Sequence, residues 1–354
     1  MARAESQGPA AVQAAADMAP PPIDPSSLGM SDGRLAQLET TLRACVADGQ
    51  LPFARMKVLR HGQIVYDVTV NSELGTQTED SIYRYYSMTK IVASVTCLLA
   101  VERGLMRLDD PVEKYIPEMK DAVVVVGGSA ANGDLQTVPA ASMPTIRQCL
   151  THTAGMGYGG LSTAGFSIAN DEVDRAYLSA GCGADMLDGS MTRWESLEEL
   201  AATLAAQPLR HHPGTLYDYA MGHILAGRCV EVAMGGQRTL TQIIKDEIFE
   251  PLEMHRAGWG AHQDTDSRVL PMYRYTTFEF PDPARPWLNR VDGLELHRQE
   301  SARIHDHCKS QELCARGLCL MPDAQMTGTA DDVSWPRSTC SDGVSVDFCL
   351  AAHA

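Results

Sequence analysis

Leu35, Leu38, Leu42 and Val46 recur every three or four residues and are followed by Gly49, so the first ordered element is predicted to be an amphipathic helix ending near that glycine. Two strand-like runs follow, Ala54 to Arg60 and Gln63 to Val70. His61-Gly62 joins them as a tight hairpin. From Tyr86 onward, Met88, Ile91, Val92, Val95, Leu98 and Leu99 fall at helical spacing, and Gly104 is placed to stop that helix. Asp109-Asp110-Pro111 offers an N-cap and a first-turn proline for a further helix beginning over 112–115. Ala122 to Val126 has the length of a strand, whereas 127–143 is Gly/Ala-rich and reads as a loop. Thr145 to Leu150 predicts a short helix, 161–192 a loop, and Trp194 to Ala206 a helix. Pro213-Gly214-Thr215 makes a turn into helices over Ala220 to Ala233 and Thr241 to Phe249. Past Pro281 the pattern decays into polar and then cysteine-rich sequence, and no segment repeats another.

At 354 residues, 44% hydrophobic and 21% charged, the chain has the composition of a globular protein with ample material for a core. Its net charge of −16 disfavours binding to nucleic acid or to an anionic membrane surface, since both need clustered positive charge. No apolar run reaches the length of a membrane span. Residues 1–30 are Ala/Pro-rich without a continuous apolar stretch, so they read as a disordered leader rather than a secretory signal. Cys45, Cys97, Cys149, Cys182 and Cys229 are irregularly spaced, as expected of reduced, buried thiols in a cytoplasmic protein.

The candidate chemistry starts at Ser87-Met88-Thr89-Lys90. Residues three apart on a helix share a face, and a helix N-terminus offers free N–H groups and a positive dipole end to an attacking serine oxygen. No carboxylate lies within a turn of Lys90, so nothing local commits its amine to an ordinary ion pair. The bland alternative for an isolated pair is a surface lysine beside a capping serine. The glycine-rich run Thr151 to Gly160 lacks the lysine of a phosphate loop and reads as a turn with close backbone packing. His152 within it is assigned a structural role, bonding backbone and shaping the loop. In the tail, His305, His307, Cys308, Cys314 and Cys319 lack a Cys-x-x-Cys pair and a second half-site, so neither a metal nor another cofactor is expected.

These residues resemble the serine β-lactamase-related family, in the branch that holds class C β-lactamases, D,D-carboxypeptidases and β-lactamase-like esterases. The stretch Tyr85 to Lys90, then Glu102 to Leu105, Leu108 to Val112 and Lys114 to Pro117 is similar to the family's nucleophile helix and the turn after it. Thr145 to Arg147 with Leu150 to Met156, then Pro213-Gly214-Thr215 with Tyr219, and then Phe249 to Met254 follow in the family's order, together covering about residues 33 to 275. The resemblance implies an α/β sandwich of the β-lactamase/transpeptidase-like type: an antiparallel sheet built from both chain ends, flanked by helices, beside an all-helical region. It assigns residues 31–290 to that domain and leaves 291–354 as a divergent tail. It implies Ser87 as the acylated nucleophile and Lys90 as general base, with Tyr219 sharing the proton transfer and protonating the leaving group. Tyr217 is the fallback for the tyrosine. The implied partner is a small-molecule ester or amide substrate.

Two departures bear on function. In lactam-acting relatives the tyrosine opens a Tyr-x-Asn motif; here position 221 is methionine, so the reading leans to ester hydrolysis or acyl transfer. The family's third motif, a Lys/His-x-Gly strand supplying an oxyanion-hole N–H, should lie well downstream of a landmark like Thr329-Ala330-Asp331-Asp332, yet little sequence follows it. The closing C-terminal strands are therefore in doubt. Losing one oxyanion donor typically costs about 10²- to 10³-fold in rate, so the competing reading is a non-catalytic or truncated relative.

Overall fold

The computed structural model describes residues 23–73, 75–159, 172–182, 194–259 and 268–270, together with strand backbone at 273–278, 291–296, 319–320 and 344–349. Helix α1 spans Asp32–Ala47 and is followed by the hairpin of β1 (Ala54–Arg60) and β2 (Gln63–Val70). The pair is antiparallel and slips register between Val58 and Leu59. Met56, Val58, Val65, Val68 and Val70 bury one sheet face against Leu35 and Val46 of α1, forming a small core of their own. This is the alternation that a half-covered antiparallel sheet demands.

Strand β3 (Tyr83–Arg84) leads through a 3-10 turn, Tyr86–Met88, into α2 (Thr89–Glu102). Beyond it come the strand pair β4 (Val123–Gly127) and β5 (Gln136–Pro139), then helices α3 (Ile146–Leu150), α4 (Glu172–Ser179), α5 (Leu197–Ala205), α6 (Gly222–Ala233) and α7 (Leu240–Ile244). Helix α7 runs on into a π turn at Lys245–Phe249. Strands β6 (Ala257–Gly258), β7 (Tyr273–Phe278), β8 (Val291–Leu296), β9 (Cys319–Leu320) and β10 (Val344–Cys349) complete the order. Helix α6 is the hub of the larger core, packing against α2, α3, α5 and α7.

Several elements differ from what the sequence predicts. In α2 the large apolar stripe is not the buried face: Ile91 is 67% exposed, while Thr89, Ala93, Thr96, Cys97 and Ala100 are buried. Small side chains let α2 approach α6 closely, and the Cys97 thiol reaches the Ala226 carbonyl at 3.8 Å. Asp110 does not cap the turn after it. Its carboxylate instead accepts from the Arg107 N–H, Lys114 and the Tyr115 hydroxyl. The segment 127–143 holds β5, paired antiparallel with β4, and 161–192 holds α4.

The region 291–354 also contributes strands. Strand β10 pairs antiparallel with the edge of β1 opposite β2, giving a sheet ordered β10-β1-β2. Strand β9 lies between β3 and β6, pairing with both. A strand thus closes the hairpin sheet, and another stands beside the segment that carries Ser87. Cys45, Cys149, Cys182 and Cys229 are free thiols. No described helix is long and apolar enough to cross a membrane.

Candidate active site

Three segments converge at Ser87. The serine sits in the 3-10 turn ahead of α2 and is exposed, so its hydroxyl is open to an incoming molecule at the positive end of that helix. Lys90, one turn on and half-buried, points its Nζ to 3.5 Å from Ser87 Oγ. Tyr219, from the loop preceding α6, donates its hydroxyl to Ser87 Oγ at 2.7 Å. Lys90 Nζ also lies 4.8 Å from the centre of the Tyr219 ring and 5.8 Å from that of Tyr158. The two tyrosine rings stack 5.4 Å apart. Lys90 therefore stands among aromatic faces, and among the described residues it forms no ion pair.

Backbone bonds between two loops hold these side chains. Arg210 N–H donates to the Gly155 carbonyl at 2.6 Å, Gly214 N–H to Thr153 at 2.7 Å and Asp218 N–H to His152 at 2.8 Å. Glycine is required at 155, where φ is +82° and an added Cβ would stand 2.0 Å from the His211 carbonyl oxygen. A buried charge cluster joins the same loops: Asp174 accepts from the Tyr158 and Gly159 N–H groups and pairs with Arg210 at 2.9 Å, and Arg210 also pairs with Asp218. At the start of α6, Gly222 lets the helix meet α3, since a Cβ there would stand 2.6 Å from the Cys149 carbonyl oxygen.

Two histidines stand behind the trio. His152 Nδ1 accepts from the Ala220 N–H at 3.0 Å, and its ring lies 4.5 Å from that of Tyr219 and 5.0 Å from that of His223. Burial, reinforced by the Lys90 charge, moves the His152 pKa down against the opposing pull of Asp218. His223, deeper in the core, is pushed down to about 3 by burial, with His152 and Lys90 adding to the shift. Its Nε2 lies 3.1 Å from Ser94 Oγ, which in turn donates to the Lys90 carbonyl at 2.7 Å. Both rings are therefore uncharged near neutral pH.

Ser87, Lys90 and Tyr219 thus come together, whereas Tyr217 turns outward, 67% exposed. Met221 is buried and its N–H reaches the Gly157 carbonyl at 3.4 Å. Tyr158 and His223 escape sequence reasoning; the only signal for Tyr158 is its place in the glycine-rich run. His305, His307, Cys308, Cys314 and the Thr329 to Asp332 landmark lie outside the described residues, and of Cys319 only its place in β9 is described. Among the described residues no group of three His, Cys, Asp or Glu side chains is arranged to hold a metal.

A beta-lactamase family model matches residues 38–334, well over half of the chain. The chain belongs to the beta-lactamase family. Among curated relatives, esterase EstB of Burkholderia gladioli is 28% identical over 316 residues, covering 88% of this chain and 71% of EstB. Lovastatin esterase of Penicillium rubens is 25% identical over 252 residues, covering 67% of this chain and 53% of that protein. The chain thus spans little more than half of the length of some relatives it matches. Of solved structures, the simvastatin synthase LovD of Aspergillus terreus superposes with a TM-score of 0.60 at 21% identity, covering 82% of this chain and 66% of LovD. EstCE1 gives 0.59 at 19%, covering 83% and 72%. These neighbours fix the fold as that of the β-lactamase/transpeptidase-like family.

Proposed function

We propose that the chain is a serine hydrolase or acyltransferase that acts on a small carboxylic ester through an acyl-enzyme at Ser87. The observation that carries the reading is the convergence of the Ser87, Lys90 and Tyr219 side-chain ends. Ser87 Oγ attacks the ester carbonyl carbon while its proton passes to Lys90 in its uncharged form, which then returns it to Tyr219 as the phenol gives up its own. When the tetrahedral adduct collapses, the carbon–alkoxy bond breaks and the departing oxygen takes a proton from Tyr219. Water or an acceptor alcohol then attacks the acyl group, gives up a proton by the reverse route, and restores Ser87. The N-terminus of α2 favours the negative oxygen that forms beside Ser87.

An ester is favoured over a lactam because Met221 occupies the position where lactam-acting relatives carry an amide. The similarity to EstB and to lovastatin esterase, both esterases, supports the same substrate class. EstCE1, a hydrolase with promiscuous acyltransferase activity, keeps acyl transfer beside hydrolysis. The free thiols Cys45, Cys149, Cys182 and Cys229 favour a reducing, cytoplasmic setting. Intact-mass measurement after incubation with a fluorophosphonate probe tests the reading. The wild type is expected to gain one adduct and to turn over nitrophenyl butyrate, and Ser87→Ala to do neither. An unlabelled wild type would instead establish a non-catalytic relative.

A further inference from the structure

His152 holds the segment around Tyr219 in three ways at once. Its carbonyl accepts from the N–H of Asp218, the residue before the tyrosine, at 2.8 Å. Its Nδ1 accepts from the N–H of Ala220, the residue after it, at 3.0 Å. Its ring lies along the tyrosine ring at 4.5 Å with a tilt of 31°. The residue holds a left-handed backbone, φ +58°, uncommon outside glycine, which turns carbonyl and ring toward the same short segment. We propose that His152 is a positioning residue for Tyr219: its uncharged ring fixes the tyrosine against Ser87, and a proton gained at Nδ1 releases it.

The chemistry follows from the lone pair. Nδ1 accepts the Ala220 N–H only while it carries no proton, which assigns the ring proton to Nε2. Protonation turns that acceptor into a donor facing a donor, so the bond breaks and the backbone beside Tyr219 is pushed away. The groups facing the ring come from every neighbouring element: Lys90 on α2, His223 at 5.0 Å on α6, and Asp218, Tyr217 and Tyr219 on the loop. Lys90 opposes a second positive charge, while Asp218 favours it but is already paired with Arg210. The ring therefore takes its proton only on the acid side of the ordinary histidine range, and the site is open at neutral pH and disengaged in acid.

The inference deepens the proposed reading, and only its kinetic arm rests on that reading. The chain contains a single Tyr-Ala dipeptide, Tyr219-Ala220. Carbonyl-13C tyrosine combined with 15N alanine therefore isolates one amide in the full-length protein. In wild type the Ala220 amide is expected to titrate between pH 8 and 4.5 with a midpoint below about 6.5. In His152→Asn, whose side-chain oxygen accepts the same N–H and whose backbone tolerates positive φ, it is expected to stay flat. With nitrophenyl butyrate, kcat/KM of wild type falls through the same midpoint and that of His152→Asn does not. His152→Ala loses about 10- to 100-fold in kcat with KM kept. A flat wild-type amide, or an unchanged amide titration or acid limb in His152→Asn, overturns the proposal. A wild type that turns over no ester defeats the functional reading instead, and the amide titration still decides the role of His152.

Discussion

Tyr219 and Ser87 are 132 residues apart in sequence yet share a 2.7 Å hydrogen bond, so the phenol is the side chain whose loss is most informative. Tyr219→Phe keeps the ring against His152 and Lys90 but removes the proton carrier. It is expected to lower kcat by about 10²- to 10⁴-fold with little change in KM, as steady-state kinetics on nitrophenyl butyrate would register. A fall of less than about tenfold would move the proton chemistry to Lys90 alone. Ser87 and Lys90 are legible as a pair because spacing alone puts both on one turn. Tyr219 is legible only through the resemblance, since a tyrosine at a helix start usually reports packing. Tyr158 and His223 are not legible, because what defines them is contact with distant residues. The glycine-rich run gives away its backbone crowding at Gly155 but not the ring it carries at Tyr158.

The interface of α2 with α6 joins the nucleophile's helix to the core. His223 is a titratable group buried there, 5% exposed and paired with Ser94. A free histidine protonates near 6.5, whereas His223 is held down to about 3. The unfolded chain thus takes the proton first, and stability is lost as pH falls from about 6.5 toward about 3. Between pH 7 and 5 the loss from this residue is about 2 kcal/mol. A Tm series in that window is expected to slope downward for wild type and to flatten in His223→Gln; parallel slopes would assign the sensitivity elsewhere. Helices with long apolar periodicity and recognisable caps are legible, including α3, whose Thr145 and Gln148 complete a capping box. The eight-residue α4 and the four-residue β5 are too short for periodicity to separate from loop. The buried face of α2 misleads because close helix packing selects small residues over large ones.

The described residues form two hydrophobic cores, one under the hairpin sheet and one around α6, and the backbone of residues 344–349 extends the sheet over the first. In that register Val346 stands opposite Val58. Val346→Pro puts a residue with φ fixed near about −65° and no N–H into that strand and is expected to cost roughly 1–3 kcal/mol, seen as a drop of several degrees in Tm. An unchanged Tm would mean that β10 adds nothing to stability. The fold class is legible from ordered motifs in the first three quarters of the chain, whereas β9 is too short to show a period and β10, although Val344, Val346 and Phe348 alternate with Ser345 and Asp347, lacks a neighbouring motif that would assign it to the sheet.

The pairing of Arg60 with Val344 joins segments made far apart in translation. Closing so long a loop costs roughly 5 kcal/mol of chain entropy before any contact repays it. While the ribosome is still working, β1 keeps one row of backbone donors and acceptors bare, a template for another nascent strand. The helical half, by contrast, has its partners close in sequence and can consolidate early. Yield in the cell is then governed less by the stability of the finished site than by how well that bare edge is shielded until synthesis reaches residue 344.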